Sequence, residues 1–114
     1  MTNVLDEKNC VPCQGGMAAM DAAIARDMVD QLQDGWALDE AGTALRRRIE
    51  FKGFAKAVYH ANLAAWLADT QGHHPDIRFG WGYFEIEFTT HEADGLTEND
   101  FICAAKFDTI LATA

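Results

Sequence analysis

The stretch from Gly53 to Thr70 does most to limit what this chain can become. It has no proline and is rich in Ala and Leu, so it reads as a helix. Phe54, Val58, Ala61 and Ala65 make one stripe, and Tyr59, Leu63, Trp66 and Leu67 spread apolar cover round much of the circumference. A helix covered that widely is buried on two sides or meets another subunit. It breaks at Gly72-His73-His74-Pro75, where proline fixes the turn and leaves two imidazoles at the mouth of a loop.

The flanking segments alternate in period. Met17, Met20, Ile24, Met28 and Leu32 recur at steps of three and four, the stripe of an amphipathic helix with Gly35 at its end. Such methionines fill cores more readily than they bind ligands. Trp36 to Leu38, the turn Asp39 to Gly42 and a strand from Ala44 to Phe51 predict a hairpin. Leu45, Ile49 and Phe51 share one face of that strand, and Arg47 interrupts the apolar face. After the middle helix, Ile77 to Phe79 reads as a short strand, with a turn at Gly80 to Gly82. Phe84, Ile86 and Phe88 then alternate with Glu85, Glu87 and Thr89. Thr97 to Asp100 has the form of a capping box that opens a last helix, with Cys103, Phe107, Ile110, Leu111 and Ala114 on one side.

The fold class that follows is α+β. A four-stranded antiparallel sheet carries three helices on one face, in the order α-β-β-α-β-β-α. Its edge strands invite pairing with a second copy. Residues 1–16, with Pro12 and Gly15-Gly16, read as a flexible N-terminal arm, and residues 17–114 as one domain. A chain of 114 residues suits a single core, and 49% hydrophobic residues supply it without staples.

A net charge of −9 repels phosphate backbones, so nucleic acid is not an expected partner. Arg46, Arg47 and Arg48 read as a strand with solvated arginines. No apolar run approaches membrane-spanning length and the N-terminus lacks a secretory pattern, so no membrane association and a cytoplasmic location are expected. Three cysteines, an odd number, point to free thiols. Cys10 and Cys13 have metal-knuckle spacing, but a structural zinc site needs a second such pair. Cys103 reads as a small buried hydrophobe.

Titratable residues gather in one stretch: Asp69, His73, His74, His91, Glu92, Asp94 and Asp100. Imidazole is the side chain best suited to exchange protons near neutral pH. A metal site is one reading, but adjacent histidines seldom aim both rings at one ion. A hydrolase triad is another, but no nucleophile elbow is present. Acid–base chemistry by histidine alone is a third, and surface decoration by a loop His-His pair is a fourth. The residues by themselves leave these open.

The same stretch resembles the signature of the pterin-4a-carbinolamine dehydratases. That pattern has an acidic residue, three spacers, His-His-Pro, an aromatic after five more, then a His and an Asp. Here these fall on Asp69, His73, His74, Pro75, Trp81, His91 and Asp100, with all spacings kept. Gly35-Trp36, Phe51 to Phe54, Thr90 to Glu92 and Gly95 to Phe101 are also similar to family sequence. Gly72 stands where some members have Asp, and Gly82 where Asn is frequent.

The resemblance implies a hydro-lyase that converts 4a-hydroxytetrahydrobiopterin to quinonoid dihydropterin in tetrahydrobiopterin recycling. It implies His73, His74 and His91 as catalytic residues, with His73 and His91 as the acid–base pair and His74 orienting the pterin. Asp69, Pro75, Thr90, Trp81 and Asp100 would bind substrate or shape the site. The plainer readings are helix capping for Asp100 and core packing for Trp81. The resemblance implies no cofactor, no metal, and a homodimer or homotetramer. The alternative is a non-catalytic pterin- or molybdopterin-related accessory protein of the same fold. A metal-binding protein using Cys10, Cys13 and the histidines is a further rival, which elemental analysis decides.

Overall fold

The computed structural model describes residues 4–11 and 18–113. Three helices and four strands follow in the expected order: α1 (Ala22–Val29), β1 (Trp36–Leu38), β2 (Leu45–Glu50), α2 (Ala55–Gln71), β3 (Asp76–Gly80), β4 (Tyr83–Phe88) and α3 (Glu98–Thr113). Single turns of 3-10 helix occur at Val4–Glu7 and His91–Ala93. The sheet is antiparallel throughout, in the order β1-β2-β4-β3. No helix among the described residues is long and apolar enough to cross a membrane.

Strand alternation sorts the two sheet faces. Phe84, Ile86 and Phe88 point into the core, where they meet Leu45, Leu67, Phe101 and Phe107. The opposite face is charged. The β2–β4 register sets Arg46 opposite Glu87 and Arg48 opposite Glu85, and each pair forms an ion pair. These arginines are therefore neutralised in place, on a face that also carries a hollow of about 640 Å³ lined in part by Arg46, Arg48, Arg78 and Glu85.

The middle helix buries a narrower face than its composition suggests. Ala57, Ala61, Ala64, Leu67 and Ala68 are its buried residues, spaced at helical intervals. Of the expected stripe only Ala61 lies in that set. The small alanines let the helix lie close to its neighbours, so the bulky Phe54, Tyr59 and Trp66 are left outside, each about half exposed or more. Burial on two sides within one chain is thus not what the fold does.

The first helix is shorter than the methionine stripe predicts. Asp21 accepts the Ala23 N–H and caps it, while the Met20 N–H is held by the Leu96 carbonyl at 2.7 Å. Asp21 has extended backbone, at φ −61° and ψ 140°, so the helix begins after it. Ala25 is its buried residue and Ile24 is 54% exposed. The expected start at Met17, the Pro12 and Gly15-Gly16 signals, Cys13 and Ala114 lie outside the described residues.

Arg47, the residue that interrupts the apolar face of β2, has a specific partner. It forms an ion pair with Asp108 of α3 and lies over the Trp36 ring at 5.9 Å. Asp108 also accepts the Trp36 indole N–H at 2.9 Å and the Gln33 N–H at 3.3 Å. Burial pushes the Asp108 carboxyl above the usual carboxylate range, against the pull of these donors. Two hydrophilic residues, each anomalous in its own element, thereby clamp α3 to the β1–β2 hairpin.

Residues 4–11 run beside α3. Leu5 is 2% exposed, Lys106 donates to the Asp6 carbonyl at 3.0 Å, and Thr109 donates to the Asp6 carboxylate at 2.7 Å.

Replacing Asp108 by Ala strands the buried Trp36 N–H and the Arg47 charge together. The expected loss is about 3 kcal/mol of unfolding free energy. Asp108→Asn, which keeps an acceptor, should lose less. Equal midpoints for wild type and Asp108→Ala in urea denaturation would contradict this account of the clamp.

Candidate active site

Two local structures deliver the histidines. The first is the end of α2. Gly72 adopts a left-handed conformation at φ 65°, which glycine reaches without strain. The Gly72 N–H bonds to the Asp69 carbonyl at 3.4 Å and the His73 N–H to the Ala68 carbonyl at 3.2 Å. This is the Schellman pattern, whose last residue usually packs an apolar side chain back on the helix. Here that residue is His73, and it turns inward, 6% exposed, with its ring stacked on Phe88 at 6.2 Å and 7° between planes. His74, next along, is exposed.

The second is the end of β4. Alternation carries on past Phe88, so Thr90 faces inward, fully buried, and His91 faces out. The Thr90 N–H bonds to the Gly95 carbonyl at 2.9 Å and closes a tight loop, with His91 opening its 3-10 turn. Gly95 must be glycine, because a Cβ there would lie 2.8 Å from that of Ala19.

Asp100 joins the two. Its Oδ1 is 2.6 Å from His73 Nε2, and its Oδ2 accepts from the Thr90 hydroxyl at 2.8 Å and the Thr97 N–H at 2.9 Å. The Thr90 and Thr97 hydroxyls lie 2.9 Å apart. The carboxylate is wholly buried, and its three contacts hold the helix entry, the β4 end and, through one imidazole, the α2 end. Capping of α3 and contact with the His73 ring prove to be two jobs of one side chain.

Burial pulls the His73 pKa down, but the Asp100 hydrogen bond and charge outweigh it, and the midpoint lies above the ordinary value of 6.5. Nε2 is engaged by Asp100, and no buried side-chain nitrogen among the described residues lacks a partner. Nδ1 is the ring nitrogen left over from that bond.

The structure thus brings His73, Thr90 and Asp100 into direct contact, with His74, Pro75 and His91 beside them in the chain. Asp69 lies one turn back on α2 and is exposed. Trp81 is not gathered in. It sits in the β3–β4 turn, the length of β3 away, or about 20 Å along the strand. At 69% exposure it is not core packing either, which corrects that reading. Sequence reasoning missed the partnership of Thr97 and Thr90 and the stacking of Phe88. The capping box and the inward phase of β4 were the available signals. Among the described residues no three His, Cys, Asp or Glu side chains gather as a metal site.

Comparison with known proteins places the chain in a family. The pattern of the family described as Pterin 4 alpha carbinolamine dehydratase matches residues 18–110. A protein of Halorhodospira halophila, provisionally named a pterin-4-alpha-carbinolamine dehydratase, is 44% identical over 106 residues, covering 93% of this chain and 96% of its own. One of Methylococcus capsulatus, named in the same way, is 44% identical over 110 residues, with 96% of each chain covered. A crystal structure from Brucella melitensis, described as a transcriptional coactivator/pterin dehydratase, superposes with a TM-score of 0.73 at 27% identity. It covers 81% of this chain and 97% of that one. With its sequence matched over nearly its whole length by the family pattern and by relatives 44% identical, the chain belongs to the pterin 4 alpha carbinolamine dehydratase family.

Proposed function

We propose that this protein dehydrates a 4a-hydroxytetrahydropterin, 4a-hydroxytetrahydrobiopterin in the first instance, to the quinonoid dihydropterin by histidine acid–base catalysis, in tetrahydrobiopterin recycling. The observation that carries the proposal is the His73–Asp100–Thr90 network, which orients one imidazole and sets the His91 loop beside it.

The reaction breaks the C4a–O bond. A ring-nitrogen lone pair pushes on C4a, the hydroxyl takes a proton and leaves as water, and the resulting cation gives up a proton. One group must donate and another must accept, and two imidazoles of different environment divide these tasks. His73, held protonated to higher pH by Asp100, donates from Nδ1 to the departing hydroxyl. His91, exposed at the loop, takes the ring proton. His74 orients the pterin, with Pro75 and Thr90 shaping the rim and Asp69 beside them. Asp100 acts on the reaction through His73, fixing its tautomer and its proton affinity.

A flat heterocycle also needs to be kept from bulk water. The exposed Phe54, Tyr59, Trp66, Phe79 and Trp81 are more apolar surface than a lone subunit of this size needs to show. They support assembly as a homodimer or homotetramer, in which a Trp81 of a second copy is available to a site it does not reach in its own chain.

His73→Ala and His91→Ala should each lower the dehydration rate by about 10²-fold or more relative to wild type. The assay uses 4a-hydroxytetrahydrobiopterin generated in situ, with the buffer rate subtracted. Wild-type rates in both variants would overturn the assignment, and pterin binding without turnover in the native protein would favour an accessory role.

Asp100→Asn removes the charge that most raises His73 and leaves burial opposed only by the weaker influence of Cys10 and Glu92. The His73 midpoint should then move down, read by NMR of the ring nitrogens. Protonated His73 is the donor, so activity is lost as pH rises through its midpoint. That limb of the pH–rate profile should shift to lower pH in the variant. An unmoved limb would show that His73 is not the group it reports.

A further inference from the structure

Cys10 and Cys103 stand 93 positions apart in the chain, yet their sulfurs lie 3.3 Å from each other. Neither sulfur is there by accident of a loose end. The Cys10 N–H donates to Gln71 Oε1 at 2.9 Å, and its thiol lies 3.6 Å from the Asn99 carbonyl. The next residue is tied twice to one side chain: the Val11 N–H to Asn99 Oδ1 at 3.0 Å, and Asn99 Nδ2 to the Val11 carbonyl at 2.7 Å. Upstream, Leu5 and Asp6 are fixed on α3. Cys103 is wholly buried on α3, one turn beyond Asp100, and Cys10 is half-buried above it. A disulfide needs the sulfurs about 1.3 Å closer, a shift within reach of side-chain rotation.

We propose that Cys10 and Cys103 are a dithiol site that hydrogen peroxide, or a peroxide of similar size, converts to an intramolecular disulfide. The two thiols differ in the way such a pair requires. The Cys103 S–H bond holds the Cys10 thiol below the usual range against the effect of burial, with help from His73. The Cys103 thiol is pushed far above it by the same bond and by burial. Cys10, half-buried where Cys103 is wholly buried, is the thiol a peroxide can reach and so the nucleophile, with Cys103 the resolving thiol.

The Cys10 thiolate attacks one peroxide oxygen and the O–O bond breaks. Sulfur is oxidised to the sulfenic acid, and the expelled hydroxide takes a proton to become water. Cys103 sulfur then attacks the sulfenic sulfur as its proton leaves with the hydroxyl, and a second water forms. Two thiols and one peroxide give one disulfide and two waters. A small dithiol reverses the step by exchange. The bridge would lock the N-terminal segment to α3 one turn from the carboxylate that orients His73.

The test uses the full reduced chain treated with stoichiometric hydrogen peroxide, then alkylated and mapped by mass spectrometry under non-reducing conditions. The expected product is monomer-mass protein short of two hydrogens, with a Cys10–Cys103 linked peptide, one alkylated thiol at Cys13, and full reversal by dithiothreitol. Closing so long a loop should raise the unfolding midpoint by about 5 °C or more. Cys13→Ser should behave as wild type, and Cys10→Ser should leave Cys103 unoxidised. A Cys10–Cys13 bridge, three alkylatable thiols, or a cross-linked species with a lowered midpoint would each overturn the proposal. None of these readouts depends on pterin turnover.

Discussion

A single buried carboxylate organises this molecule. Asp100 has no exposed surface, and a carboxylate in that position has to be hydrogen-bonded by the protein. It is answered by the Thr97 backbone, the Thr90 hydroxyl and the His73 ring, which come from three different stretches of the chain. The need to satisfy one anion therefore sets where α3 begins, where β4 stops and how α2 ends. The orientation of an imidazole comes with those constraints.

The rest of the fold supports that corner. Antiparallel pairing through β4 sets the phase that turns Thr90 inward and His91 outward, and a slip of one residue would exchange them. The alanine face of α2 brings its C-terminal turn close enough for a histidine to sit where an apolar residue usually does. At the other end of α3, Asp108 repeats the device with Arg47 and Trp36, so one helix is anchored at both ends by buried carboxylates. Two polar anchors fix its rotation as well as its depth, which apolar packing alone does loosely.

The N-terminal segment belongs to this arrangement too. Asn99 sits between the carboxylate turn and the Val11 backbone, and Cys103 lies one turn on beneath Cys10. The segment is thereby tied to the end of α2 and the first turns of α3. The two sulfurs it brings together lie one turn of α3 beyond Asp100.

Much of this was legible in the sequence. The order of helices and strands followed from periodicity, because a packed element must show one face to the core. The spacing of His73, His74, His91 and Asp100 marked the corner, and the capping box placed Asp100 at a helix entry. What the sequence by itself determined is local: periods, caps and breaks depend on neighbours a few positions away. Only the tertiary structure decided that Arg47 answers Asp108, that Cys10 meets Cys103, that the methionine stripe yields a shorter helix, and that Trp81 lies far from the histidines of its own chain. Those outcomes depend on contacts between residues tens of positions apart, and no period or spacing in the chain encodes which distant partner a buried polar group will find.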